Sequence, residues 1–298
     1  MAKPAAGSRI ILENKLMKLY RKLRDIEISR QFLGGNLIEY YLRVTMTSII
    51  KKYFVKMQYP YHSIASVNIE TTGYCNRKCY FCFFHDRFPK RKQGIMEETT
   101  YKNIIDELSK INFCGRLSPH SYGEPLLDKR LPALMEYTKK KLPNCYTQIM
   151  TNGDFLTAQL FKKLIAKGVD HFIITNYDDE EKAFLTFISE HCPWHVRVRS
   201  YKDFITVDRA GKILNRKSQL HEPCLRPSSQ LVINWKGDVI LCCNDFYGEY
   251  VMGNVNDGNL LDIWNSAKFD YYRNNLIKGQ RSSIPICHHC DIEGGIPW

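Results

Sequence analysis

The 298-residue chain lacks an apolar run able to cross a bilayer as a helix. The longest uncharged apolar stretch of its N-terminal region, Val44–Ile50, falls far short of the ~20 residues required. It also lacks, at its N-terminus, the compact apolar run and small-residue cleavage site of a secretory signal. No internal repeat or low-complexity tract is present, and with 44% hydrophobic and 25% charged residues wholesale disorder is excluded. These absences predict a cytoplasmic protein. In that reducing compartment 11 cysteines, an odd number, point to metal or redox chemistry rather than to disulfides.

Acidic residues are also in short supply, 31 Asp+Glu against 43 Lys+Arg, for a net charge of +12. Residues 1–60 hold twelve of the basic residues and four of the acidic ones, and so carry eight of those charges. Leu12, Leu16, Leu19, Leu23 and Ile26 recur at helical spacing, Gly34-Gly35 interrupts, and a second helical stretch runs from Asn36 to Val55. Residues 1–60 therefore read as a basic helical extension. It is either a solvated element packed on the core or a surface for an anionic partner. That partner would be a membrane surface, making the protein peripheral to the membrane, or a phosphorylated substrate. Nucleic acid is disfavoured, because the patch has neither interleaved aromatics nor a reading motif.

From Ser66 onward strand and helix patterns alternate. Strands are expected at Val67–Thr72, Arg116–Ser118, Tyr146–Thr151, Val169–Asn176 and His195–Ser200. Helices are expected at Glu97–Asn112, Leu131–Lys141, Thr157–Lys167 and Glu180–His191. Repeated βα units imply an α/β protein with a parallel sheet or a full or partial barrel. After residue 203 the pattern changes to a hairpin, Leu231–Asn234 with Val239–Cys242, then a helix Leu260–Ile277 and a cysteine-bearing tail. The division expected is 1–60, 64–202 and 203–298.

Cys75-x3-Cys79-x2-Cys82 follows the first strand directly. Three thiols in one loop are an incomplete set for tetrahedral zinc or for a four-iron cluster. They read either as a structural zinc with a distant fourth ligand or as a [4Fe–4S] cluster with one open iron. The spacing resembles the radical S-adenosylmethionine (SAM) superfamily, and the similarity covers about residues 64–202. Phe81, just before the last cysteine, matches that family's habit. Gly123-Glu124-Pro125 is similar to the family's GGEP segment, which holds the SAM amino group, with Tyr122 in place of the first glycine. Thr151-Asn152-Gly153 is similar to another segment near SAM, and equally reads as a simple strand-to-helix turn. The resemblance implies a partial (β/α)6 barrel and cleavage of SAM to a 5′-deoxyadenosyl radical that abstracts hydrogen from substrate. It also implies a low-potential electron donor, flavodoxin- or ferredoxin-like.

Alternation along the strands sets Asn68 and Glu70 apart from Val67 and Ile69, and His195, Arg197 and Arg199 apart from Val196 and Val198. Polar residues on one face of a buried strand suit a wet lumen, where Arg197 or Arg199 would hold the SAM carboxylate or an anionic substrate group. A solvated edge strand is the other reading. His120 and Tyr122 approach the same region, His120 as a structural histidine.

Cys224, Cys242, Cys287 and Cys290 form a second set. With Gly237 between the first two, the set resembles the SPASM/twitch auxiliary-cluster domain. The chain ends eight residues after Cys290, which favours the twitch form with one auxiliary [4Fe–4S] cluster. Structural zinc is the alternative. Cys114, Cys145, Cys192 and Cys243 are left unassigned. Cys243 adjoins a cluster ligand and is a candidate ligand in place of Cys242, a spare, or a hydrogen-atom donor. The expected activity is oxidation of a hydroxyl-bearing carbon in a sugar- or aminocyclitol-like substrate. One rival is a radical epimerase or peptide-modifying enzyme using Cys243. The other is a non-catalytic, two-zinc, nucleic-acid-binding protein.

Overall fold

The computed structural model describes residues 64–178, 182–203, 208–213 and 220–292. The basic extension at 1–60, and with it the anionic-surface reading, lies outside the described residues.

Strand and helix alternate through β1 (Ser66–Ile69), α1 (Glu98–Lys110), β2 (Arg116–Ser118), α2 (Leu131–Lys141), β3 (Tyr146–Thr151), α3 (Ala158–Ala166), β4 (His171–Asn176), α4 (Ala183–His191) and β5 (Val196–Ser200). Helix α1 presents Tyr101, Ile104, Ile105 and Leu108, all buried, at the three-and-four spacing of one helical face. Helix α3 begins where the Thr157 side chain accepts the Leu160 amide, and Gly168 takes the left-handed turn after its end. Each strand is parallel to the next in the order β5-β4-β3-β2-β1, and β6 (Gln230–Ile233) joins the other side of β1, also in parallel. Strands laid down in sequence by right-handed crossovers put their helices on one face of the sheet. Val67, Ile69, Leu117, Ile149, Phe172 and Ile174, all buried, belong to the apolar core. Burial of each such side chain is worth about 1.5–3 kcal/mol. Ser66, Asn68, Arg116, Ser118, Gln148 and Gln230 fall at the alternate strand positions, so the opposite face of the sheet is largely polar.

The C-terminal part differs from expectation in detail. A short helix α5 (Arg226–Ser229) precedes β6; β7 (Asp238–Ile240) and β8 (Val251–Asn254) then extend the sheet antiparallel. Strand β8 was not anticipated, because Val-Met-Gly-Asn carries little strand pattern. The single helix expected at 260–277 is two, α6 (Leu260–Trp264) and α7 (Ala267–Ile277). Ser266 breaks the run by capping the Phe269 amide. A last short helix, α8 (Pro285–His288), carries Cys287.

Candidate active site

The loop after β1 is closed at its neck. Gly73 donates to the Gly94 carbonyl, Met96 to the Thr71 carbonyl, and Thr72 bridges Ile95. The Trp235 indole, from the β6–β7 turn, sits against this neck. A Cβ on Gly73 would lie 2.7 Å from it and one on Gly94 2.4 Å, which explains both glycines by close approach. Beside the neck Glu70, 0% exposed, accepts two bonds from Arg91 (2.6 and 2.7 Å) and one from the Trp235 amide (3.1 Å). Within the loop the Cys82 amide donates to the Cys79 carbonyl, and the His85 amide to that of Cys82. This succession of tight turns keeps the thiols on one short stretch.

The loop is also tied to the ends of β3 and β4. Arg77 donates to both oxygens of Asp154 and, at 3.0 Å, to Asp178, and its guanidinium lies over the Tyr177 ring. Asn152 donates to the Asn76 side chain, and Asn76 to Asp154. Burial pushes the Asp154 carboxyl up, but the bonds from Arg77, Lys182 and Asn76 outweigh it and hold the group well below its ordinary value.

The Gly123-Glu124-Pro125 segment lies directly against this loop. A Cβ on Gly123 would sit 2.1 Å from the Thr72 carbonyl oxygen, and the Glu124 amide donates to the Tyr74 carbonyl. The Glu124 carboxylate, 3% exposed, accepts from the Leu126 amide, the Thr151 hydroxyl and the Asn152 amide. It therefore staples the segment to the end of β3. Pro125 opens a 3-10 turn and is buried.

These elements surround one cavity of about 400 Å³ at the C-terminal ends of the parallel strands. Cys75, Cys79, Cys82, Phe81, Gly123, Glu124, Asn152 and Arg199 all line it. Of the alternating trio His195, Arg197 and Arg199 only Arg199 does so: Arg197, on β5, is exposed, and His195, just before β5, has its ring bonded to the Asp170 carbonyl. Strand β5 is the sheet edge, so the solvated-edge reading applies to Arg197. Burial, followed by the charges of Glu124, Cys82 and Cys79, pushes the Cys75 thiol up to about 12 although an amide bond opposes it. Bare, the Cys75 thiol holds its proton, and a metal centre must displace it. Burial likewise raises Cys79.

The second thiol set lies beyond Tyr122 and Phe246. The Asn244 amide donates to Cys242 and its side chain to Cys290, while burial first, and neighbouring thiols second, push up Cys224 (beside Cys290), Cys242 (beside Cys243 and Cys287) and Cys287 (beside Cys224 and Cys290). Cys243 is not part of the cavity lining; its sulfur accepts from Arg226 at 3.2 Å. Among the described residues neither set closes around a point fit for a single ion. In a four-iron cluster each thiolate holds a separate iron, so ligands spread around a larger body suit that group. Cys114 and Cys145 are buried in the core.

Sequence reasoning did not single out Arg77, Asp154, Arg91, Trp235 or Arg209. A cue existed for the first two, an arginine inside Cys75–Cys79 and an acid two residues past Asn152. Arg209 reaches the cavity from a segment distant in sequence, and no local pattern marks it.

A cavity lined by three loop thiols at the mouth of a parallel sheet, with a second thiol set behind it, defines an iron–sulfur enzyme. The chain belongs to the radical SAM superfamily. That family's description matches residues 69–194, and an iron-sulfur cluster-binding domain, SPASM, matches 224–291. The S-adenosyl-L-methionine-dependent 2-deoxy-scyllo-inosamine dehydrogenase of Niallia circulans is 32% identical over 231 residues, 76% of this chain and 92% of the relative. The crystal structure of BtrN with AdoMet and 2-DOIA superposes with a TM-score of 0.72 at 31% identity, covering 77% of this chain and 94% of that one. The PqqA peptide cyclase of Granulibacter bethesdensis is 31% identical over 117 residues, 38% of this chain and 29% of its own length. This chain is thus an oxidoreductase using a [4Fe–4S] cluster and SAM, with an auxiliary iron–sulfur cluster in its C-terminal part. The epimerase and two-zinc alternatives are not favoured. Among the described residues no helix is long and apolar enough to cross a membrane.

Proposed function

We propose that Cys75, Cys79 and Cys82 hold the catalytic cluster and that the enzyme dehydrogenates a hydroxyl-bearing carbon of a small sugar- or cyclitol-like substrate. The observation that carries this reading is the convergence of three thiols, the Gly123–Pro125 segment and Asn152 on one cavity. When bound, the cluster and SAM supply a 5′-deoxyadenosyl radical able to take hydrogen from carbon.

The protein's own part is placement. Gly123 lets the segment's backbone lie against the thiol loop, where its polar groups would hold the SAM amino group. Glu124 fixes that segment to Asn152, and Pro125 stiffens it from beneath. Phe81 would line the SAM site, and Arg199, which also donates to Thr175, would hold the SAM carboxylate. Cys224, Cys242, Cys287 and Cys290 would hold the auxiliary cluster and leave it no open iron; it would supply an acceptor for the second electron of the oxidation, the first leaving the substrate with the abstracted hydrogen atom. A low-potential, flavodoxin- or ferredoxin-like protein would supply the separate electron that cleaves SAM. The division at 64–202 and 203–298 accommodates the two family matches.

The test is anaerobic: reconstituted protein with dithionite and SAM, 5′-deoxyadenosine by mass spectrometry, and iron and zinc counted in the same sample. About eight irons with nucleoside formation is the expected result. Tightly bound zinc without cleavage overturns it.

A further inference from the structure

Two guanidinium groups stand beside the second thiol set with no carboxylate to balance them. Arg281, 1% exposed, donates to the Glu222 and Ile292 carbonyls and so joins the stretches that carry Cys224 and Cys290. Arg226, part-buried, donates from its side chain to the Cys243 sulfur at 3.2 Å and from its amide to Cys224. Each keeps one buried nitrogen without a hydrogen-bond partner, Arg281 Nη2 and Arg226 Nε. Among the described residues no carboxylate accepts from either group. Asp245, which faces Cys287, accepts instead from the Glu249 and Tyr250 amides, and Asp291, next to Cys290, from that of Asp208.

A cation held out of water without a counter-charge is strongly disfavoured, so an anion has to stand near both. The groups whose charge faces Arg226 are the thiols of Cys243, Cys242 and Cys224, while Arg281 acts on Cys224 and Cys287. Cysteines give up their protons to hold a four-iron cluster, and four thiolates leave such a cluster negative in both of its redox states. A cluster on these thiols is therefore the counter-charge that the two guanidinium groups lack.

We propose that Arg226 and Arg281 are counter-ions of the auxiliary cluster that raise its reduction potential and so favour electron uptake from the substrate. The inference rests on the assignment of Cys224, Cys242, Cys287 and Cys290 to that cluster. The substrate carbon gives a hydrogen atom to the 5′-deoxyadenosyl radical. The radical left behind becomes a carbonyl by losing its hydroxyl proton to solvent and one electron to the auxiliary cluster. That electron adds one negative charge beside two fixed cations, so the reduced state gains more from them than the oxidised state does.

The test is an anaerobic redox titration of the reconstituted enzyme followed by electron paramagnetic resonance, with iron and zinc counted in the same samples. The auxiliary signal is the one that SAM leaves unaltered. Arg226→Gln and Arg281→Gln should each make that cluster about tenfold harder to reduce, a fall of about 60 mV for one electron. The potential of the SAM-responsive signal should stay in place. Arg226→Lys and Arg281→Lys keep the charge and should recover most of the loss.

Arg281 also joins two chain segments, so Arg226→Gln is the decisive variant, its side chain being bonded to Cys243 alone. In a Cys243→Ala background Arg226→Gln should lower the potential by the same amount; disappearance of the effect there would pair the arginine with Cys243 instead. Auxiliary iron lost with glutamine but kept with lysine would support a counter-ion. Unshifted potentials at full iron content, the same fall with lysine as with glutamine, or auxiliary iron lost with both would each overturn the proposal. A parent enzyme with no SAM-insensitive iron signal, or with zinc in its place, overturns the cluster assignment instead, so the two failures are distinguishable.

Discussion

Glu70 and Arg91 meet in a two-bonded ion pair, 2.6 and 2.7 Å, on the inner side of the thiol loop, and the Trp235 amide completes the shell of the same carboxylate. The Arg91 guanidinium also lies over the rings of Tyr122 and Phe246, at 5.0 and 5.1 Å. One side-chain pair thus joins the end of β1, the returning limb of the thiol loop, the β6–β7 turn and the wall between the two thiol sets.

Breaking this pair from one side leaves a fully buried carboxylate uncompensated. Arg91→Met should cost about 3 kcal/mol of stability, as loss of one partner of a buried pair does. Denaturant unfolding measures it. A loss below about 1 kcal/mol, the range of surface pairs, would mean the pair is effectively solvated.

Asp154 gives the loop an acid-sensitive anchor. Its folded value is depressed, so its contribution is present above the unfolded carboxylate value of about 4 and is lost as pH falls toward the lower folded one. Urea unfolding from pH 7 down to pH 3 should show this fall, and Arg77→Gln should flatten it while lowering stability at pH 7. An unchanged slope in the variant would assign the acid response elsewhere.

Gly123 has no room for a methyl group. With a Cβ 2.1 Å from the Thr72 oxygen, Gly123→Ala must push the segment off the thiol loop, at about 1–3 kcal/mol for overpacking. Nucleoside formation should fall by at least about tenfold. Retained iron and full SAM cleavage together would remove this segment from SAM binding.

The two thiol sets are separable by iron content. Cys224→Ala and Cys290→Ala should each lower iron from about eight to about four while SAM cleavage persists. Cys243→Ala should keep both the full iron content and product formation. Loss of turnover with full iron would restore the hydrogen-donor role considered for Cys243, and loss of about four irons would make it a ligand.

Much of this protein is legible along the chain. The bounds of β2, α2 and β3 coincide with those expected from pattern alone. Hydrophobic periodicity and capping act over three to seven neighbouring residues, so a linear reading captures them. The thiol spacing is equally local, because Cys75, Cys79 and Cys82 share one loop. Sequence therefore determined the alternating α/β pattern, the two thiol sets and the superfamily.

What lies between distant segments was decided only by the tertiary structure. Strand β6 reads as half of a hairpin, yet it pairs in parallel with β1, some 160 residues earlier in the chain. Glu124 reads as part of a SAM-binding tripeptide, yet its carboxylate is occupied by β3. Arg209 and the His120–Tyr122 stretch acquire meaning only once they line one cavity. The physical reason is that pairing, burial and charge depend on which groups approach through space. A buried hydroxyl without a partner, or a guanidinium that lowers an imidazole, is a property of the folded chain and not of any stretch of it.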